Sequence, residues 1–260
     1  MENKNRTKIS RQPIQVPSGW VVQINKFCDV DPERIDELEG YTFDEKWLYL
    51  ENELLVCEYQ KNGTKWTLDM GWSPEYDPDG EYILLLVKND DWRNIETVKE
   101  TRAITKIVQA VNETMLRLSQ ENRDFVVESG DAQLQALRPL HGWRFVKNEF
   151  FEIDPSSDIT SNEWRLFHES LLRLEAWNDS KYRIEMGWFP SHNPYGLYVA
   201  KLINEDLEKP LLEEFSTKER AEIVEYVNEA MAGRMSELSN KRERSERERR
   251  RQQRLSEQRA

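Results

Sequence analysis

Trp66-Thr67-Leu68-Asp69-Met70-Gly71-Trp72-Ser73-Pro74-Glu75-Tyr76-Asp77-Pro78-Asp79-Gly80-Glu81-Tyr82 is the stretch on which the fold turns. It recurs as Tyr182-Arg183-Ile184-Glu185-Met186-Gly187-Trp188-Phe189-Pro190-Ser191-His192-Asn193-Pro194-Tyr195-Gly196-Leu197-Tyr198. Both copies read as a strand, a turn punctuated by two prolines and a glycine, and a second strand. Trp66, Leu68, Met70 and Trp72 share one face by period-two alternation, as do Tyr182, Ile184, Met186 and Trp188. Thr67, Asp69 and Gly71 line the opposite face in the first copy, and Arg183, Glu185 and Gly187 in the second. One apolar face and one polar face is antiparallel-sheet behaviour.

The duplication extends outward from this stretch. Upstream, Gly19-Trp20, Asn25, Phe27 and Asp31-Pro32 recur as Gly142-Trp143, Asn148, Phe150 and Asp154-Pro155, each set reading as a strand closed by an Asp-Pro turn. Trp47 to Leu55 is echoed by Trp164 to Leu172, and the extra residues 33–43 of the first copy belong in a loop. Lys61-Asn62-Gly63 is a hairpin signal, with Asn178-Asp179-Ser180 in its place in the second copy. Tyr82 to Val87 and Leu197 to Ile203 are apolar runs that predict central strands. Ile104, Ile107, Val108, Val111, Met115 and Leu118 then form a helical stripe, matched by Ile223, Val224, Val227, Met231 and Leu238. Ser216 with Glu219 predicts a capping box for the second helix.

The expected fold class is therefore α+β: two tandem repeats, each a four-stranded antiparallel sheet followed by a packed C-terminal helix. The boundaries read as a flexible basic arm at 1–15, a first repeat at 16–119 and a linker at 120–140. A second repeat follows at 141–239, and an Arg/Glu-rich tail, helical or disordered, at 240–260. Ala132 to Leu137 reads as a short helix within the linker.

Composition narrows the function classes. Hydrophobic residues make up 38% and there are nine each of Trp, Tyr and Phe, enough to build a core rather than a disordered chain. No apolar run approaches transmembrane length, so no membrane span is expected. The opening residues lack a secretory apolar stretch, which predicts a cytoplasmic setting. Cys28 and Cys57 occur in the first copy only, opposite Glu or Phe151 and Leu174 or its neighbours, so they read as reduced core thiols. The formal charge of −12 divides into +5 on the tail and −17 on the rest. A strongly acidic body favours basic partners and repels nucleic acid.

The residues supply no catalytic set, no metal site and no cofactor motif. His141, His168 and His192 lie in the second half alone. Asp69 and Glu185 are matched acids on matched strands, reading as solvent-facing or cross-strand paired. The expectation is a binding protein and not an enzyme. Its candidate contacts are the turn residues Trp72, Glu75, Tyr76, Asp77 and Asp79 in one copy and Trp188, Phe189, His192 and Tyr195 in the other, aromatics ringed by polar groups.

The order Asn-x-Phe-x-x-x-Asp-Pro, Leu-Leu, Met-Gly-Trp-x-Pro-x-x-x-Pro-x-Gly-x-Tyr and a terminal helix resembles small acidic immunity proteins of bacterial polymorphic-toxin systems. The resemblance covers each copy but not the tail, and the duplication departs from a single-domain pattern. It implies an inhibitor that occludes a basic toxin or effector protein. The alternative is a phage- or plasmid-type accessory protein that contacts nucleic acid through Arg247, Arg249, Arg250 and Arg251 of the tail.

Overall fold

Alternation of side chains along each strand decides what this chain builds. In the computed structural model, residues 6–121, 132–155, 158–177, 181–207 and 211–233 are described. The first half contains β1 (Trp20–Asn25), α1 (Phe43–Trp47), β2 (Leu55–Lys61), β3 (Thr64–Ser73), β4 (Glu81–Lys88), β5 (Ile95–Thr101) and α2 (Ile104–Glu121). The second contains β6 (Trp143–Asn148), α3 (Ser161–Trp164), β7 (Leu172–Ala176), β8 (Tyr182–Phe189), β9 (Leu197–Asn204) and β10 (Leu211–Thr217). A helix at 220–233, α4, ends the described chain.

All the strands join one ten-stranded antiparallel sheet in the order β10-β9-β8-β7-β6-β1-β2-β3-β4-β5. This corrects the expectation of two separate four-stranded units, each closed by its own helix. The overlooked strands are β5 and β10, one on each edge. β5 reads Ile-Glu-Thr-Val-Lys-Glu-Thr and is mostly exposed, so it carries no apolar alternation for a sequence reading to detect. Charged edge strands of this kind discourage further strand addition.

The halves fuse where β1 pairs with β6, Val21 opposite Arg144 and Val22 opposite Trp143. Directly opposed residues project to the same side of a sheet, so Val22 and Trp143 bring both apolar faces onto one face. α2 covers that face with Ile107, Val111, Met115 and Leu118, and α4 with Ile223, Val227 and Met231, giving one continuous core. The few backbone bonds at the seam contribute about 1 kcal/mol each. Each fully buried large apolar side chain contributes about 1.5–3 kcal/mol, so shared burial dominates the union.

The segments read as an arm and a linker are packed where they are described. Ile14 is buried and exchanges two backbone hydrogen bonds with Leu137, Ile14 N to Leu137 O at 2.9 Å and Leu137 N to Ile14 O at 3.0 Å. Residues 132–140 are extended and contain no helix, because Leu134 and Leu137 each form a β-bridge. Each strap is gripped by the opposite half. Asn25 Nδ2 donates to Pro139 O at 2.6 Å, and Asn148 Nδ2 donates to Val16 O at 2.9 Å.

Local chemistry accounts for the remaining joints. Asn62 and Gly63 both take positive φ, 51° and 77°, as a type I′ hairpin requires. The loop of the first half contains a 3-10 turn, Pro32–Glu37, capped by Asp31, and α1 is closed by a Thr42/Glu45 capping box. The entry to α4 is capped by Thr217 rather than Ser216: Thr217 Oγ1 accepts from Glu219 N at 3.1 Å, while Ser216 still lies in β10.

Candidate functional site

The two turns share one frame. Ser73–Pro74 and Phe189–Pro190 are both cis. Trp72 Nε1 donates to Asp77 O and Trp188 Nε1 to Asn193 O, each at 2.9 Å. Asp77 and Asn193 also accept from the backbone two residues on, Asp79 N at 2.9 Å and Tyr195 N at 2.8 Å. Gly80 and Gly196 let the indoles approach: a Cβ there would lie 2.4 Å and 2.3 Å from the indole nitrogens. In the first half Arg102 donates to Pro78 O at 2.7 Å and to Gly80 O at 2.5 Å.

This frame divides the residues singled out in sequence. Trp72 and Trp188 are fully buried and pack edge-on against Tyr82 and Tyr198. They are anchors that no partner reaches, which corrects their reading as contacts. Glu75, Tyr76, Asp79, Phe189, His192 and Tyr195 are exposed, and Asp77 is half-buried. The two groups do not meet. β3 runs parallel to β1, β8 runs parallel to β6, and β1 and β6 are antiparallel. The turns therefore leave opposite ends of the sheet, on opposite flanks. Arg247, Arg249, Arg250 and Arg251 lie outside the described residues.

Around the first turn the structure gathers acids that sequence reading did not group. Lys26 Nζ lies 2.5 Å from Glu51 Oε2, and Asn52 Nδ2 donates to Glu75 Oε2 at 3.2 Å. Asp69 faces outward from β3; burial, and then the charge of Glu53, raises its carboxyl above the ordinary carboxylate value. Glu75 beside the Tyr76 phenol raises that group as well. Glu51, Glu53, Asp69 and Glu75 thus crowd one end of β2 and β3, with Lys26 the cation paired to them among the described residues. The Glu51-Asn52-Glu53 run was visible in the sequence; its meeting with Asp69 and Glu75 was not.

The matching end of the second half carries no such cluster. His168, Ser170, Glu185 and Ser191 stand in place of Glu51, Glu53, Asp69 and Glu75, and Glu185 lies 3.1 Å from Arg183 Nε. Glu149 takes the place of Lys26 and lies 3.1 Å from His168 Nε2 and 3.0 Å from Lys147 Nζ. The hydrogen bond to His168, then that to Lys147, holds its carboxyl at about 2 against the usual 4.5. The folded value lies below the unfolded one, so the contribution is present above about 4.5 and is lost as pH falls toward about 2. Glu149→Gln is expected to lower stability at neutral pH and to converge with the native chain at the acid end of that window. Urea midpoints measured across the window check this, and a difference independent of pH would contradict it.

Among the described residues, no group of three or more His, Cys, Asp or Glu is placed to hold a metal ion, and no helix is long and apolar enough to cross a membrane. The carboxylate cluster offers concentrated negative charge for a cationic partner. Comparison with family models, with curated proteins and with solved structures finds no match for this chain.

Proposed function

We propose that the protein is a non-catalytic acidic binder that captures a basic protein partner through the first-half cluster. The observation carrying this reading is the convergence of Glu51, Glu53, Asp69 and Glu75 on one end of the sheet with only Lys26 paired to them among the described residues. Asp69 is half-buried and has no cationic partner among the described residues, so an arriving Lys or Arg relieves a carboxylate that the free protein holds unfavourably. Excess negative charge also accelerates encounter with a basic surface. The resemblance to acidic immunity proteins makes a toxin or effector the partner class, blocked by occlusion in the cytoplasm.

Affinity capture from the source cells tests this. The native chain is expected to retain a basic protein in stoichiometric amount and to release it as salt is raised. The triple variant Glu53→Gln, Asp69→Asn, Glu75→Gln should weaken that complex by about 100-fold, at roughly 1 kcal/mol for each lost charge contact. Unchanged affinity in the variant would remove the cluster from the interface.

A further inference from the structure

A second feature lies on the strap before β1 and is independent of the acidic cluster. Residues 6–11 are pinned at both ends. Thr7 N donates to Glu39 O at 3.0 Å and Tyr41 Oη donates to Thr7 O at 3.1 Å, while Ser10 N donates to Asp29 Oδ1 at 2.8 Å. Between the pins an open cleft of about 370 Å³ is lined by the strap, Cys28, Tyr41 and Tyr49. That volume falls at the small end of the range typical of small-molecule sites.

The charge of this cleft runs against that of the chain. Arg6, Lys8 and Arg11 line it, and no carboxylate does. Arg6 stacks over the Tyr41 ring at 3.9 Å and is paired with Glu45 at 3.2 Å. Arg11 Nη1 points at Cys28 Sγ, 3.3 Å away. Among the described residues neither Arg11 nor Lys8 has a carboxylate partner. In a chain with 49 acidic against 37 basic residues, two such cations on one cleft are poorly explained by general solvation.

The other half differs in side-chain chemistry at three of these positions. Leu134, Phe151 and Leu166 occupy the positions of Arg11, Cys28 and Tyr49. Apolar side chains thus stand in the second half where the first half carries a guanidinium, a thiol and a phenol. We propose that the cleft binds a small organic oxyanion, a phosphate or carboxylate held by the Arg11 guanidinium and Lys8, with its body against Tyr49. A guanidinium offers paired N–H donors in the geometry that such groups accept.

Cys28 reports occupancy directly, because it is half-buried on the cleft wall whereas Cys57 is fully buried and its thiol is pushed far up by burial. The full-length protein is alkylated with the uncharged reagent N-ethylmaleimide in the presence of inorganic phosphate, citrate or adenosine monophosphate, each against sodium chloride of equal ionic strength. At least one anion is expected to slow Cys28 alkylation saturably, by about tenfold at ten times its dissociation constant. Protection by phosphate and the nucleotide assigns a phosphate ligand, and protection by citrate alone assigns a carboxylate. Arg11→Leu and Lys8→Gln should each reduce the protection ratio. Cys28→Phe, which places on the cleft wall the larger residue found at the matching position of the second half, should abolish binding of the protecting anion in calorimetry while melting cooperatively. The proposal is overturned if none of the three anions protects beyond the chloride control, if protection is undiminished in both Arg11→Leu and Lys8→Gln, or if folded Cys28→Phe still binds.

Discussion

Replacing Gly71 by alanine is expected to destabilise the fold by about 3 kcal/mol or more, a fall of roughly 10 °C in the thermal midpoint. The added Cβ would lie 1.7 Å from Asn52 O and 2.4 Å from its carbonyl carbon. Both are backbone atoms, in a segment fastened on either side. Trp72 N donates to Glu51 O at 2.8 Å, and Leu54 N donates to Met70 O at 2.9 Å. Neither side can yield without breaking the β2–β3 ladder. The same crossing recurs at Gly187, where a Cβ would lie 2.1 Å from Glu169 O, so Gly187→Ala should behave alike. Gly63 provides the contrast: nothing lies within 4 Å of its Cβ position, and its φ of +77° is the sole obstacle, worth about 1–2 kcal/mol. Urea unfolding of the three variants separates steric from conformational effects. A Gly71→Ala chain no weaker than Gly63→Ala would refute the close crossing.

Asn148→Ala is expected to cost about 2–4 kcal/mol, because it strands two buried backbone groups at about 1–3 kcal/mol each. Asn148 Nδ2 serves Val16 O at 2.9 Å, and its Oδ1 accepts from Phe150 N at 3.1 Å. Asn25→Ala should cost less. Asn25 Oδ1 accepts from Phe27 N at 3.0 Å, but Phe27 N also reaches Leu54 O at 3.0 Å and keeps that partner. Each asparagine holds the strap of the other half, so the two substitutions act on one seam and their effects are expected to be non-additive. Denaturant unfolding followed by tryptophan fluorescence gives both values. An Asn148→Ala chain within about 0.5 kcal/mol of native would show that the strap contacts are incidental.

The duplicated asparagines illustrate how the sequence hides its own meaning. Their spacing from Gly-Trp was plain, yet nothing local says that Asn25 serves residue 139 and Asn148 serves residue 16. Gly71 and Gly187 are similar. A glycine inside a strand signals close backbone approach, but the approaching residue comes from the preceding loop and is found only in three dimensions. The candidate contacts fared unevenly for a related reason. Aromatic residues beside proline turns suit either a binding rim or a buried anchor, and only burial separates Trp72 from Tyr76.

By itself the sequence determined the alternation of β3 and β8, the hairpin at Asn62-Gly63, the amphipathic helices and the duplication of the turn frame. These depend on period and on backbone preference within a few residues. The tertiary structure alone decided that the copies merge into one sheet, since β1–β6 pairing joins strands that the chain separates by more than a hundred residues. It also decided which acids converge and that a cleft opens beside the strap at residues 6–11. Charge clusters and cavities arise from side chains that distant strands bring to one place, and the two halves diverge in those side chains while keeping the backbone that carries them.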